Sequence, residues 1–134
     1  MVWALVEYFA MIIDTQILDK VSAEDKASPR FMINYYFHQS HDDLCHRMLN
    51  AVEPGTDIPI HRHPTKDESF VVLRGKVRST IYNDDGSVIE SVVLCAEEGR
   101  YGADIPKGSG TNWKAWRAGV WCLNAKKGRL CRMR

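Results

Sequence analysis

Residues 55–75 read Gly55-Thr-Asp-Ile-Pro-Ile-His61-Arg-His63-Pro-Thr-Lys-Asp-Glu68-Ser-Phe-Val-Val-Leu-Arg-Gly75, and this stretch decides the reading of the chain. His61 and His63 alternate with Arg62. On an extended strand that parity turns both imidazoles to one face, where two nitrogens can meet a single ion. Glu68 is the candidate oxygen ligand. Pro64 favours a turn before the next strand opens at Ser69.

Outward from this segment the chain reads as a succession of short strands behind one helix. From Met11 the apolar residues Ile13, Ile17, Leu18 and Val21 recur three or four apart. Asp14 or Thr15 can cap the start, and Ser28-Pro29 ends the run. The period then changes to two. Strands are expected over Phe31 to Phe37, His46 to Val52, Ser69 to Leu73, Val77 to Tyr82, Val88 to Leu94 and Arg100 to Ile105. Asn83-Asp84-Asp85-Gly86-Ser87 is a hairpin signal, because Asp-Gly supplies the positive φ that tight turns need. Pro54-Gly55 and Pro106-Lys107-Gly108 punctuate the rest. Many strands with Gly/Pro turns predict an antiparallel sandwich or barrel.

Composition bounds the function classes. A chain of 134 residues forms one domain with a real core. With 45% hydrophobic and 26% charged residues and a formal net charge of +1, it has the balance of an ordinary globule. Its Lys and Arg residues are scattered among nearly equal numbers of acids, and no basic stripe interleaved with aromatics is visible, so nucleic acid is not an expected partner. Cys45, Cys95, Cys122 and Cys131 form no Cys-x-x-Cys pair, which argues against a zinc ribbon and for reduced, cytoplasmic thiols. The apolar stretch Met1 to Ile13 is interrupted by Glu7 and lacks a basic start, so it reads as neither signal nor anchor. Residues 1–10 read as an extension upstream of a beginning at Met11.

The segment Gly55, His61-x-His63, Glu68, Gly75 fits the first cupin motif in full. The second is half present: Pro106-Lys107-Gly108 matches its Pro-x-Gly, but Thr111 stands where cupins carry a third histidine. Within the cupins, the chain resembles the small WbuC-type cupin-fold metalloproteins associated with bacterial O-antigen and other surface-polysaccharide gene clusters. The residues that carry this are Arg47-Met48-Leu49-Asn50-Ala51 leading into Glu53-Pro54-Gly55, then Pro59-x-His61-Arg62-His63-Pro64, Val71-Val72-Leu73-Arg74-Gly75 and Ile105-Pro106-Lys107-Gly108.

The resemblance implies a mostly β, single-domain cupin: a double-stranded β-helix, or jelly-roll-like antiparallel barrel, with an N-terminal helix over 11–30, the barrel over 31–108 and an atypical tail over 109–134. It implies one divalent ion (Zn, Fe, Mn or Ni) held by His61, His63 and Glu68. A sugar or sugar-nucleotide ligand in surface-polysaccharide metabolism follows from the family's setting, as does a homodimer. The alternatives are a metal-dependent sugar isomerase or epimerase, an Fe(II) oxygenase, or a non-catalytic or defective cupin. No catalytic residue is assigned; the strongest acid or base candidates are His38 and Tyr82.

The bland readings stand beside these. Glu68 can pair with Arg62 or Lys66 at the surface. His38, His41 and His46 match no compact ligand set, and read as ordinary polar residues. Arg47 and Asn50 are weak substrate-binding candidates that strand parity puts on opposite faces.

The tail from Ser109 carries three of the four tryptophans and shows neither strand alternation nor a turn code. If one nucleotide was lost after the Gly108 codon, the neighbouring frame permits Trp-His in place of Ser-Gly-Thr and Val-Val-Phe-Glu-Cys-Lys in place of Val-Trp-Cys-Leu-Asn-Ala. The tail therefore reads as out of frame, with the last strands and the third histidine replaced. Loss of those strands predicts an opened barrel edge and a marginally stable chain.

Overall fold

The computed structural model describes residues 10–56 and 58–127, with side chains as far as Trp121. Helix α1 spans Thr15–Ala27. Of the two candidate caps Asp14 is the one used: its Oδ1 accepts the Ile17 N–H at 3.1 Å, satisfying one of the donors a helix start leaves open. Ser28 is extended, as the residue before Pro29 must be, and the helix stops there. It is shorter than 11–30 because Ile13 lies before the cap and stays exposed, while Val21 is fully buried. The upstream extension falls, through residue 9, outside the described residues.

Six strands follow: β1 (Met32–Tyr36), β2 (Cys45–Val52), β3 (Lys66–Tyr82), β4 (Val88–Leu94), β5 (Gly102–Ile105) and β6 (Gly110–Lys127). All pair antiparallel in the order β1-β2-β6-β3-β4, with β5 also on β3. The strands expected at Ser69–Leu73 and Val77–Tyr82 are two halves of β3. Gly75 bends the strand without ending it. Its φ is +88°, and a Cβ there would overlap the carbonyl oxygen of Ala118, so only glycine fits. Register shifts cluster at the same place, between Val72 and Val77.

That bend divides the sheet. The first half of β3 meets β5 through Glu68–Val71 and the second half meets β4 through Val77–Tyr82, while β6 runs beside both. The two halves close on one core of Val52, Phe70, Val72, Val77, Leu94, Ile105, Trp113, Ala115 and Trp121. Burial of each large apolar side chain there is worth about 1.5–3 kcal/mol. On the outer side of β1, β2 and β6, α1 packs Val21 against Leu49, Ala51 and Val120. Leu49 and Ala51 therefore face the helix, and Met48, Asn50 and Val52 alternate to the inside.

The tail departs from its sequence reading. Gly110–Lys127 form β6, which lies between β2 and β3, so a strand fills the place expected to be open. Trp113 and Ala115 are buried between exposed Lys114 and Trp116, but the register shift opposite Lys76/Val77 interrupts the alternation and hides it from inspection. No pairing joins β4 to β1 among the described residues. Residues 128–134 lie outside the described residues. The cysteines also differ from expectation: Cys45 is disulfide-bonded, whereas Cys95 is free and buried. Among the described residues no helix is long and apolar enough to cross a membrane.

Candidate functional site

His61 and His63 lie on the extended segment that enters β3, outside any named strand. It is fixed by a bridge in which the His61 N–H donates to Thr111 O at 3.0 Å and the Thr111 N–H donates to His61 O at 2.8 Å. Both histidines line one cavity, their ring centres 5.3 Å apart, and Arg62 turns away to pair with Asp84 at 3.0 Å. Glu68 sits inside β3, one step earlier than the expected strand start, and is buried. It does not take the surface pairings with Arg62 or Lys66. Instead its Oε1 lies 2.5 Å from His63 Nε2.

Burial raises the Glu68 carboxyl above the usual carboxylate range, against the pull of His61 and Lys66. Burial also lowers the His63 imidazole, and the charges of His61 and Lys66 lower it further. In each group the leading cause, burial, favours the neutral form. His61 is oriented from its other side. Its Nδ1 lies 2.9 Å from Pro59 O, a contact in which Nδ1 donates and Nε2 is the ring nitrogen left without this partner.

The cavity has a volume of about 230 Å³. Besides the three candidate ligands it is lined by Asn34 and Met48 from the β1–β2 pair, by Asn50, and by Trp113 and Trp121 from β6. Of the two weak substrate-binding candidates, Asn50 reaches the cavity and Arg47 is exposed on the other face. Asn50 Nδ2 donates to Asn34 Oδ1 at 2.5 Å, from the residue directly opposite it in register. Sequence reasoning missed Asn34 and both tryptophans; the parity of β1 with β2 was the available signal for Asn34, while the tail offered none. Thr111, where a third histidine was expected, is buried and donates its hydroxyl to Thr80 O at 3.1 Å.

Four buried polar atoms on residues of this cavity have no partner among the described residues: Glu68 Oε2, Asn50 Oδ1, Trp113 Nε1 and Trp121 Nε1. An orphaned carboxyl oxygen beside two imidazoles, one of them oriented from its far side, is donor chemistry that suits a divalent ion. The arrangement of the donors does not yet match: among the described residues no three His, Cys, Asp or Glu side chains are grouped to enclose one ion. The reason is local. His63 and Glu68 are bonded to each other, so an ion must replace that contact.

His38, His41 and His46, whose spacing matches no compact ligand set, come together at the edge of this site. His38 and His46 stack with ring centres 4.3 Å apart, and His41 lies 6.2 and 6.4 Å from them. His46 and Glu68 flank Ala125 of β6 from its two sides, and Lys66 Nζ lies 3.3 Å from His46 Nδ1. Of the two acid or base candidates, His38 belongs to this group, and Tyr82 donates to Asn112 Oδ1 at 2.9 Å.

A bent antiparallel sheet closing on an inner cavity, with a helix on its outer face, defines a cupin-type fold, and solved structures agree. A conserved Streptococcus pyogenes protein of unknown function matches with a TM-score of 0.64 at 17% identity, over 91% of each chain. The cupin domain of Schizosaccharomyces pombe Cnp3 matches with a TM-score of 0.58 at 12% identity, over 72% of this chain and 64% of that one. A cupin-2 domain protein from Shewanella frigidimarina gives 0.53 at 20% identity, over 71% and 80%. At these identities the likeness carries the fold alone. The chain belongs to the family described as Domain of unknown function (DUF6016), whose model matches residues 13–94. No curated protein sequence matches it.

Proposed function

We propose that the chain is a metal-binding cupin that acts on or senses a small polar ligand, with His61, His63 and Glu68 as the metal ligands. The observation that carries this reading is the orphaned Glu68 Oε2, buried within a cavity that His61 and His63 also line. A buried, unpaired carboxylate oxygen costs about 1–3 kcal/mol or more, and a bound cation removes that cost. The ion would supply Lewis-acid chemistry. Asn50, Asn34 and the two tryptophans would orient the ligand.

A sugar or sugar-nucleotide ligand, in bacterial surface-polysaccharide metabolism, is our reading of the WbuC-type resemblance. The same resemblance supports the out-of-frame tail, since it expects a histidine where Thr111 stands. Metal analysis of the purified chain, followed by calorimetric titration with Zn, Fe(II), Mn and Ni, tests the first proposal. Absence of stoichiometric metal together with no measurable titration would overturn it. Turnover of nucleotide sugars with and without the bound metal separates an enzyme from a sensor. The codons from 109 onward test the tail: a sequence that cannot yield Trp-His in the shifted frame ends that reading.

A further inference from the structure

On the face of the sheet turned away from the core, β3, β4 and β6 assemble a basic surface that is dispersed in the sequence. Register pairs Lys76 with Arg117 and Arg78 with Lys114, and the shift between Lys76 and Val77 leaves Trp116 as the extra residue opposite them. Trp116 is 49% exposed, an unusual placement for so large an apolar surface. The Arg78 guanidinium lies 5.0 Å and the Lys76 ammonium 5.6 Å from its ring centre. These residues, with Arg100, Ser91 and Glu98, line an open cavity of about 390 Å³.

The cations there outnumber the carboxylates. Lys76 donates to Glu98 Oε1 at 3.1 Å and Arg117 lies 3.8 Å from Glu97 Oε2, so two carboxylates stand against Lys76, Arg78, Arg100, Lys114 and Arg117. Arg78 donates to Ser91 Oγ at 2.8 Å, and its guanidinium has no other hydrogen bond among the described residues. Arg100 has neither a side-chain hydrogen bond nor an ion pair among them. Guanidinium groups with donors to spare beside an exposed indole match the two chemistries of a nucleotide: the guanidiniums suit phosphate oxygens, and the indole suits a planar base.

We propose that this surface binds a nucleoside phosphate, with the base stacked on Trp116 and the phosphates held by Arg78 and Arg100. A mononucleotide is favoured over a polymer because, among the described residues, Trp116 is the one exposed tryptophan, a platform for a single base. A longer polyanion would also meet Glu97 and Glu98, both exposed beside Arg117 and Lys76. The site stands apart from the candidate metal ligands and does not rest on them.

Calorimetric titration of the full chain at low ionic strength, with ADP, UDP, adenosine, pyrophosphate and a short single-stranded oligonucleotide, tests the proposal. A nucleoside diphosphate should saturate at concentrations on the order of 1 mM or below. Trp116→Leu and Arg100→Gln alter exposed side chains, and circular dichroism checks that each variant keeps its fold. Each should weaken ADP binding about tenfold, the worth of one stacked base or one charge-assisted contact. Pyrophosphate and adenosine should each bind more weakly than ADP, and Trp116→Leu should leave pyrophosphate binding unchanged. The proposal is overturned if no diphosphate saturates, if the folded variants bind ADP as the parent does, or if ADP binds no better than pyrophosphate. Tighter binding of the oligonucleotide than of ADP overturns it in favour of a nucleic-acid surface.

Discussion

His63 Nε2 lies 2.5 Å from Glu68 Oε1, while the second oxygen of the same carboxylate is buried with no partner. One half of Glu68 is thus satisfied by the residue proposed to share an ion with it, and the other half is not. The contact links the turn at Pro64 to the start of β3 and sets the gap an ion would have to enter.

An ion taken up as we propose would have to break this contact, so its energetics would be those of exchange. Glu68→Gln keeps the shape but cannot ionise to a carboxylate ligand. We expect it to lower affinity for Zn or Mn by about 10-fold to 100-fold, and His61→Ala to do the same. Calorimetric titration of both variants checks this; parental affinity in either would remove that residue from the ligand set.

Gly75 is the hinge on which both layers depend. Gly75→Ala places a Cβ against the Ala118 carbonyl at a φ of +88°, and we expect a loss of at least about 2 kcal/mol. Urea denaturation followed by circular dichroism measures it. A loss below about 0.5 kcal/mol would mean that the bend at this residue is wrongly placed.

Trp121 tests the standing of the tail as core. It is 1% exposed and packs with Trp113 and Phe70 between the layers. Trp121→Ala should cost about 3–5 kcal/mol, enough to unfold a marginal domain. A melting temperature equal to the parent's would show that β6 contributes little to the fold.

Asp25 gives the fold an unusual pH dependence. Burial, then the adjacent Glu53 carboxyl, pushes its pKa from the ordinary 3.8 up to about 7, with Lys26 opposing. Between those values the unfolded chain ionises this group while the folded chain keeps the proton. The folded state therefore binds more protons, and stability falls as pH rises from about 4 to about 7. Asp25→Asn should flatten that slope and raise stability at pH 8 by about 1–3 kcal/mol. Thermal melts of both chains across this range decide it; a parent whose stability rises through the window would exclude the shift.

Much of the fold was legible because it is written in local periodicity. The helix start at Asp14 or Thr15, the β4 limits at Val88 and Leu94 and the opposite faces of Arg47 and Asn50 all follow from spacing that one element imposes on its own residues. The strand in the tail was not legible. Its alternation is interrupted where β6 shifts register against β3, and its exposed Trp116 mimics a core residue. The candidate site was legible in part: spacing brought out His61, His63 and Glu68, but Trp113 and Trp121 reach the cavity only through pairing with strands far away in the chain.

The sequence alone determined which residues share a face within each element, because backbone geometry fixes side-chain direction every two or every 3.6 residues. Tertiary structure alone decided which faces meet. It bonded Glu68 to His63 instead of Lys66, gathered His38, His41 and His46, and set Trp116 beside Lys76 and Arg78. Those relationships depend on strand register and on the bend at Gly75, which are selected by the packing of the whole core and by no local run of residues.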